Sequence, residues 1–151
     1  MIRKTVNVIT AIAVVLAAVV LFLYLSNATP VPPAVSSADA ASGKPYVVKM
    51  HARWCPICMT TTGIWSQIAR TYSGRVNLLV FDFTNDQTTD ASRAEAKRLG
   101  LEAFFDEYAG TTGSIVVLDR QTRAVTADIH GRGDIAEYRA AIDAALAGAR
   151  E

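Results

Sequence analysis

The chain predicts an α/β domain with the order β-α-β-α-β-β-α: a central mixed sheet with helices on both faces. One N-terminal transmembrane or signal helix precedes it. Three observations predict this. Short runs rich in β-branched residues alternate with segments whose apolar positions recur at three and four. One run, Leu78 to Phe81, is solidly apolar, as a strand covered on both faces reads. At the front, Val8 to Leu25 is apolar except for Thr10.

The front run has the order of an export signal. Arg3 and Lys4 come first, then the 18 positions from Val8 to Leu25, then small and polar residues. As a helix those positions span about 27 Å, just enough for a bilayer core of about 30 Å. A cleaved signal has a shorter apolar core, so run length favours a retained anchor over residues 1–25. Ser26-Asn27-Ala28 and Ala38-Asp39-Ala40 also offer small residues to a signal peptidase. The basic pair keeps the first residues cytoplasmic by the positive-inside rule. The expected location is therefore the cytoplasmic membrane, single-pass, with the domain on the exported, periplasmic side, or secreted if the signal is cleaved. Disulfides persist there. Residues 26–43, "SNATPVPPAVSSADAASG", read as a Pro/Ala/Ser tether.

The domain, 44–151, opens with "PYVVKMH", a strand. A helix starts at the Cys-Pro-Ile-Cys turn. Its inward positions are Cys58, Thr61, Trp65, Ile68 and Tyr72, and Ser73-Gly74 stops it. "RVNLLVFDF" (75–83) is the second strand. "DASRAEAKRLG" (90–100) is a helix with Asp90 as cap and Gly100 as stop. "SIVVLD" (114–119) and "AVTADIHG" (124–131) form a hairpin around a turn. Asp134 caps a last helix whose face carries Ile135, Tyr138, Ile142, Ala145 and Leu146. A right-handed crossover followed by a hairpin gives one sheet. Net charge is +1 and no basic stretch is interleaved with aromatics, so no nucleic-acid partner is expected.

The only cysteines are Cys55 and Cys58, in "HARWCPICMTT". Two thiols at i and i+3 on the first turn of a helix can bridge with little backbone change. Cys55 falls at the helix N-terminus, where unpaired N–H groups and the dipole favour thiolate over thiol. The thiolate attacks disulfides. Cys58, one turn further in, resolves the mixed disulfide. Pro56 suits the first helical position, where its missing N–H has no partner to lose. A structural staple is the weaker account, because so short a loop gains little entropy. The two sulfurs alone carry this chemistry, so no cofactor is called for.

The stretch "GKPYVVKMHARWCPICMTTTGIWSQIA" (43–69) resembles the active-site region of membrane-anchored thioredoxin-like proteins, and the topology from 44 to 149 resembles a thioredoxin fold. The resemblance implies an exported thiol–disulfide oxidoreductase with Cys55 attacking, Cys58 resolving and Trp54 shielding the site. It implies protein thiol or disulfide substrates and a membrane or soluble electron donor. Tethered members also suggest a maturation role, such as keeping cysteines of a c-type cytochrome or a copper protein reduced. The chain departs from the family's pattern in three places. Lys49 stands six residues before Cys55, where the family carries a buried acid. Buried, it would stabilise thiolates; otherwise its stem reaches water. Thr112-Gly113 stands where the family carries a cis-proline, and Gly113 is expected to leave the site more open, to metals as well. The Pro-Ile dipeptide adds no polar group, and leaves oxidant or reductant open.

Other residues have blander accounts. His51 and His130 read as a half-buried ring and a turn residue. Met50 and Met59 read as core fillers. With Cys55, Cys58 and His51 they would also form a soft set for Cu(I), which makes a metal carrier the alternative function; a redox-silent interaction module is the third. No metal ligand is assigned. Asp82 and Asp86 read as turn or capping residues.

Overall fold

A computed structural model describes residues 14–20, 41 and 43–148. Residues 14–20 are helical and exposed. Among the described residues no helix is long and apolar enough to cross a membrane. The anchor and cleavage sites expected over 1–40 fall largely outside the described residues.

The domain holds four strands: β1 (Tyr46–His51), β2 (Asn77–Asp82), β3 (Ser114–Leu118) and β4 (Val125–His130). Their order in the sheet is β2-β1-β3-β4. β1 runs parallel to β2, with Lys49 opposite Val80, and antiparallel to β3, with Lys49 opposite Ile115. β3 and β4 form the expected hairpin. The helices are α1 (Pro56–Thr60), α2 (Thr62–Tyr72), α3 (Asp86–Leu99), α4 (Glu102–Tyr108) and α5 (Ile135–Gly148).

Because side chains alternate along a strand, the sheet feeds two cores. Tyr46, Val48 and Met50 of β1 join Leu79, Phe81, Val116 and Leu118 on one face. There α3 and α4 add Ala96, Leu99, Phe104 and Phe105. Phe105 meets Phe81 edge-on at 5.1 Å and stacks on Phe83 at 5.4 Å. On the other face Val47, Leu78, Ile115 and Val117 meet Trp65, Ile68 and Tyr72 of α2 and Tyr138 and Ile142 of α5. Trp65 is almost wholly buried, so its truncation to Ala would cost about 3–5 kcal/mol.

Three boundaries differ from the sequence expectation. The helix after the motif is divided at Thr61, where φ −85 and ψ 0 leave the helical basin. Thr60 bonds the carbonyl of Ile57 at 2.8 Å, and Thr61 and Thr62 bond that of Cys58 at 3.2 and 3.1 Å. Side-chain bonds of this kind compete with the helical ladder and bend it. As a result α1 gives Cys58 to one core while α2 serves the other. Second, α3 starts at Asp86, not at Asp90. Asn85 is its cap: it accepts from the Thr88 N–H at 3.0 Å, and the Thr88 hydroxyl closes the reciprocal bond. Third, α4 is an added helix. The Asp134 cap is as expected, accepting from the Ala136 N–H at 2.8 Å.

Candidate active site

The end of β1 is tied to the end of β2 before the motif begins. Phe83 N–H donates to the His51 carbonyl at 2.7 Å. Arg53 N–H donates to the Thr84 hydroxyl oxygen at 3.0 Å, and the Trp54 indole donates to the Thr84 carbonyl at 3.2 Å. Thr84 is itself held by Asp82, whose carboxylate accepts from both its N–H and its hydroxyl. Asp82 thus has the turn role expected of it. Trp54 is 63% exposed. It stands as a solvent-facing wall anchored at Thr84.

Cys55 caps α1. Its backbone is extended (φ −88, ψ 111), and its sulfur accepts from the Cys58 N–H at 3.1 Å. Pro56 takes the first turn, as expected. Both cysteines are free thiols and both are buried, Cys58 completely. Burial by itself would raise the Cys55 pKa. Hydrogen bonds from the side chains of Cys58 and Thr112 and from the N–H groups of Cys58 and Ile57 outweigh it, and the net shift is downward. Cys58 goes the other way. Burial, then its hydrogen bond to Cys55, pushes it up to about 11. Its thiol also faces the Met50 carbonyl at 3.6 Å. One sulfur is prepared to carry charge and its neighbour to keep a proton.

Thr112-Gly113 does lie opposite the motif. The Gly113 N–H donates to the same Met50 carbonyl at 2.9 Å, so its donor is used internally. No peptide among the described residues is cis. Gly113 has φ +95, which a side chain rarely tolerates. A Cβ there would stand 2.7 Å from Ile57 Cγ2 and 3.2 Å from His130 Cε1. The expectation of a more open site is therefore overturned: Ile57 of the Cys-Pro-Ile-Cys turn fills the space that the absent side chain leaves. Ile57 remains 38% exposed beside Trp54 and Met59. His130, at the end of β4, has Nδ1 3.2 Å from the Ser114 hydroxyl and lies against Gly113.

Lys49 is 3% exposed, so its stem does not carry the ammonium to water. Among the described residues no carboxylate pairs with it. Burial lowers its pKa, and the charges of Cys58 and then Cys55 raise it. His51 is half-buried, with Nδ1 enclosed and unbonded, and burial lowers its pKa. The soft-ligand set is spread out: Met50 is fully buried, whereas Met59 is 66% exposed. Among the described residues no three His, Cys, Asp or Glu side chains group as a metal centre. Sequence reasoning missed Ile57, Thr84 and the Met50 carbonyl. The first is an ordinary apolar residue and the others act through backbone or a distant loop, so no local pattern marks them.

Residues 35–98 match the Thioredoxin family model. A curated relative, Thioredoxin-like protein HCF164, chloroplastic, of Oryza sativa subsp. japonica, is 29% identical over 96 residues. They cover 60% of this chain and 33% of the relative, so the chain spans about a third of that protein's length. Two solved structures are similar. Trxlp from Edwardsiella tarda EIB202 gives a TM-score of 0.43 at 16% identity, over 68% of this chain and 84% of that one. A thiol:disulfide interchange protein of the thioredoxin family from Chlorobium tepidum TLS gives 0.48 at 25%, over 74% and 86%. The family match runs through β1, the motif, α2 and β2, so this stretch of the domain is similar to the thioredoxin family.

Proposed function

We propose that this protein exchanges electrons with protein cysteines on the exported side of the cytoplasmic membrane, held there by its N-terminal segment. The observation that carries the chemistry is the pairing of a charge-stabilised Cys55 sulfur with a buried, protonated Cys58 one turn away. The Cys55 thiolate attacks a substrate disulfide. A Cys55–substrate bond forms, the substrate S–S bond breaks, and the departing sulfur takes a proton from water. Cys58 then attacks the Cys55 sulfur, and its proton goes to the second departing substrate sulfur. Two electrons leave the protein, which keeps a Cys55–Cys58 disulfide. A membrane or soluble partner returns them; the reverse sequence oxidises a substrate dithiol. The exposed Trp54, Ile57 and Met59 offer an apolar landing for a polypeptide around the motif.

The location rests on the basic pair followed by the apolar run from Val8 to Leu25. Two measurements test the proposal. The full chain, equilibrated against a glutathione series, should show one reversible two-electron midpoint and reduce insulin disulfides; inert thiols at every ratio would sink the chemistry. Cell fractionation should place the intact chain in the membrane. A soluble product beginning near residue 29 or 41 would refute the tether.

A further inference from the structure

Lys49 occupies the middle of the central strand, flanked by Val80 and Ile115 on its two neighbours. Its face of β1 continues into the apolar core of Val47, Ile115 and Val117. A buried ammonium without a partner is costly, and burial of a charge is stable only when it is compensated. The charged and titratable groups around it are few. The charges of Cys58 and then Cys55 oppose the effect of burial on it, although burial still lowers its pKa on balance. His51, two residues along the strand, is depressed by burial, by Lys49 itself and by Arg53, while Asp82 opposes this. The next residue, Met50, holds the Cys58 thiol through its carbonyl. The backbone next to Lys49 thus holds the Cys58 thiol, and among the described residues no carboxylate forms an ion pair with Lys49.

We infer that Lys49 is the counter-ion of the reduced cysteine pair and tunes the couple toward its reduced form. This rests on the exchange chemistry proposed above. The balance is Cys55–S–S–Cys58 + 2 e⁻ + H⁺ → Cys55–S⁻ + Cys58–SH. The disulfide is neutral and leaves the buried ammonium uncompensated. Reduction creates one negative charge, shared through the Cys58-to-Cys55 hydrogen bond, beside it. Lys49 therefore stabilises the reduced protein over the oxidised one and makes the pair a better electron acceptor than its Pro-Ile dipeptide alone would.

The test compares the full-length wild-type chain with Lys49→Met and Lys49→Gln. Glutathione equilibration gives the thiol–disulfide constant, and alkylation of Cys55 against pH gives its titration midpoint. K49M should shift the constant at least tenfold toward disulfide, which is about 30 mV for a two-electron couple. Its Cys55 midpoint should move up. An apolar side chain of similar volume replacing a buried charge is usually well tolerated, so K49M is expected to fold. Denaturant unfolding supplies an independent check: K49M should stabilise the oxidised chain more than the reduced chain, by the same factor. An unchanged constant with an unchanged midpoint, or a shift toward thiol, would overturn the inference. A wild-type chain that never equilibrates with glutathione overturns the exchange chemistry instead. The Cys55 midpoint then decides for Lys49 alone: raised in K49M it supports the counter-ion role, unmoved it refutes it.

Discussion

Two regions three residues apart handle a sulfur in opposite ways. At the mouth of α1, Cys55 is a cap: its sulfur accepts from the Cys58 N–H and side chain, from Ile57 N–H and from Thr112 across the site. One turn inside, Cys58 has no exposed surface and faces a carbonyl, which can only accept. Donors lower the energy of an anion, whereas an acceptor in a buried place keeps the proton on. Identical side chains therefore do different work because of which backbone groups point at them. The contrast also sets the order of the chemistry, since the charged sulfur attacks first and the protonated one waits.

The strongest way to break the contrast is to remove one side of it. Cys55→Ser should lower insulin reduction to the uncatalysed level, because the remaining thiol is buried and protonated. Cys58→Ser should leave Cys55 reactive but unable to release substrate, so a persistent mixed disulfide should appear on non-reducing gels. A smaller effect sharpens the comparison at the mouth. Thr112→Val removes one donor, worth about 1 kcal/mol, and should slow alkylation of Cys55 at neutral pH roughly fivefold, with Thr112→Ser restoring it. In the unmodified chain the lowered Cys55 pKa means more thiolate at neutral pH, so its alkylation should outrun that of a free cysteine and have a midpoint below that of a free cysteine. Gly113→Ala acts on packing rather than charge. The positive φ and the contact with Ile57 should cost about 1–2 kcal/mol, read as a lower melting temperature, and Ile57→Ala in the same chain should recover part of it. The smallest effect lies far from the thiols: Asn85→Ala removes the α3 cap at about 1 kcal/mol and should leave exchange rates unchanged.

Much of the architecture was legible in the residues. The apolar period of the motif helix named Cys58, Thr61, Trp65, Ile68 and Tyr72, and all five are buried. The solid run in β2 and the hairpin of β3 and β4 also appear where their patterns put them. The start of α3 was missed because Thr88 and Thr89 are weak helix formers, and the box that Asn85 makes uses Thr88 in place of the usual Glu or Gln. α4 was missed because it is short and its two rings, Phe104 and Phe105, are adjacent and show no helical period. At the site, the sequence named both sulfurs, Pro56 and Thr112-Gly113. It misjudged the space beside Gly113, because the occupant, Ile57, belongs to a segment more than fifty positions earlier in the chain.

The sequence by itself determined that two thiols would sit on the first turn of a helix behind a strand, since spacing, the proline and local apolar period are all short-range signals. Only the tertiary structure decided that Lys49 stays buried, that one carbonyl of β1 serves both Cys58 and Gly113, and that Thr112 reaches Cys55. Those depend on which distant backbone and side-chain groups the sheet brings together, and no local pattern encodes that.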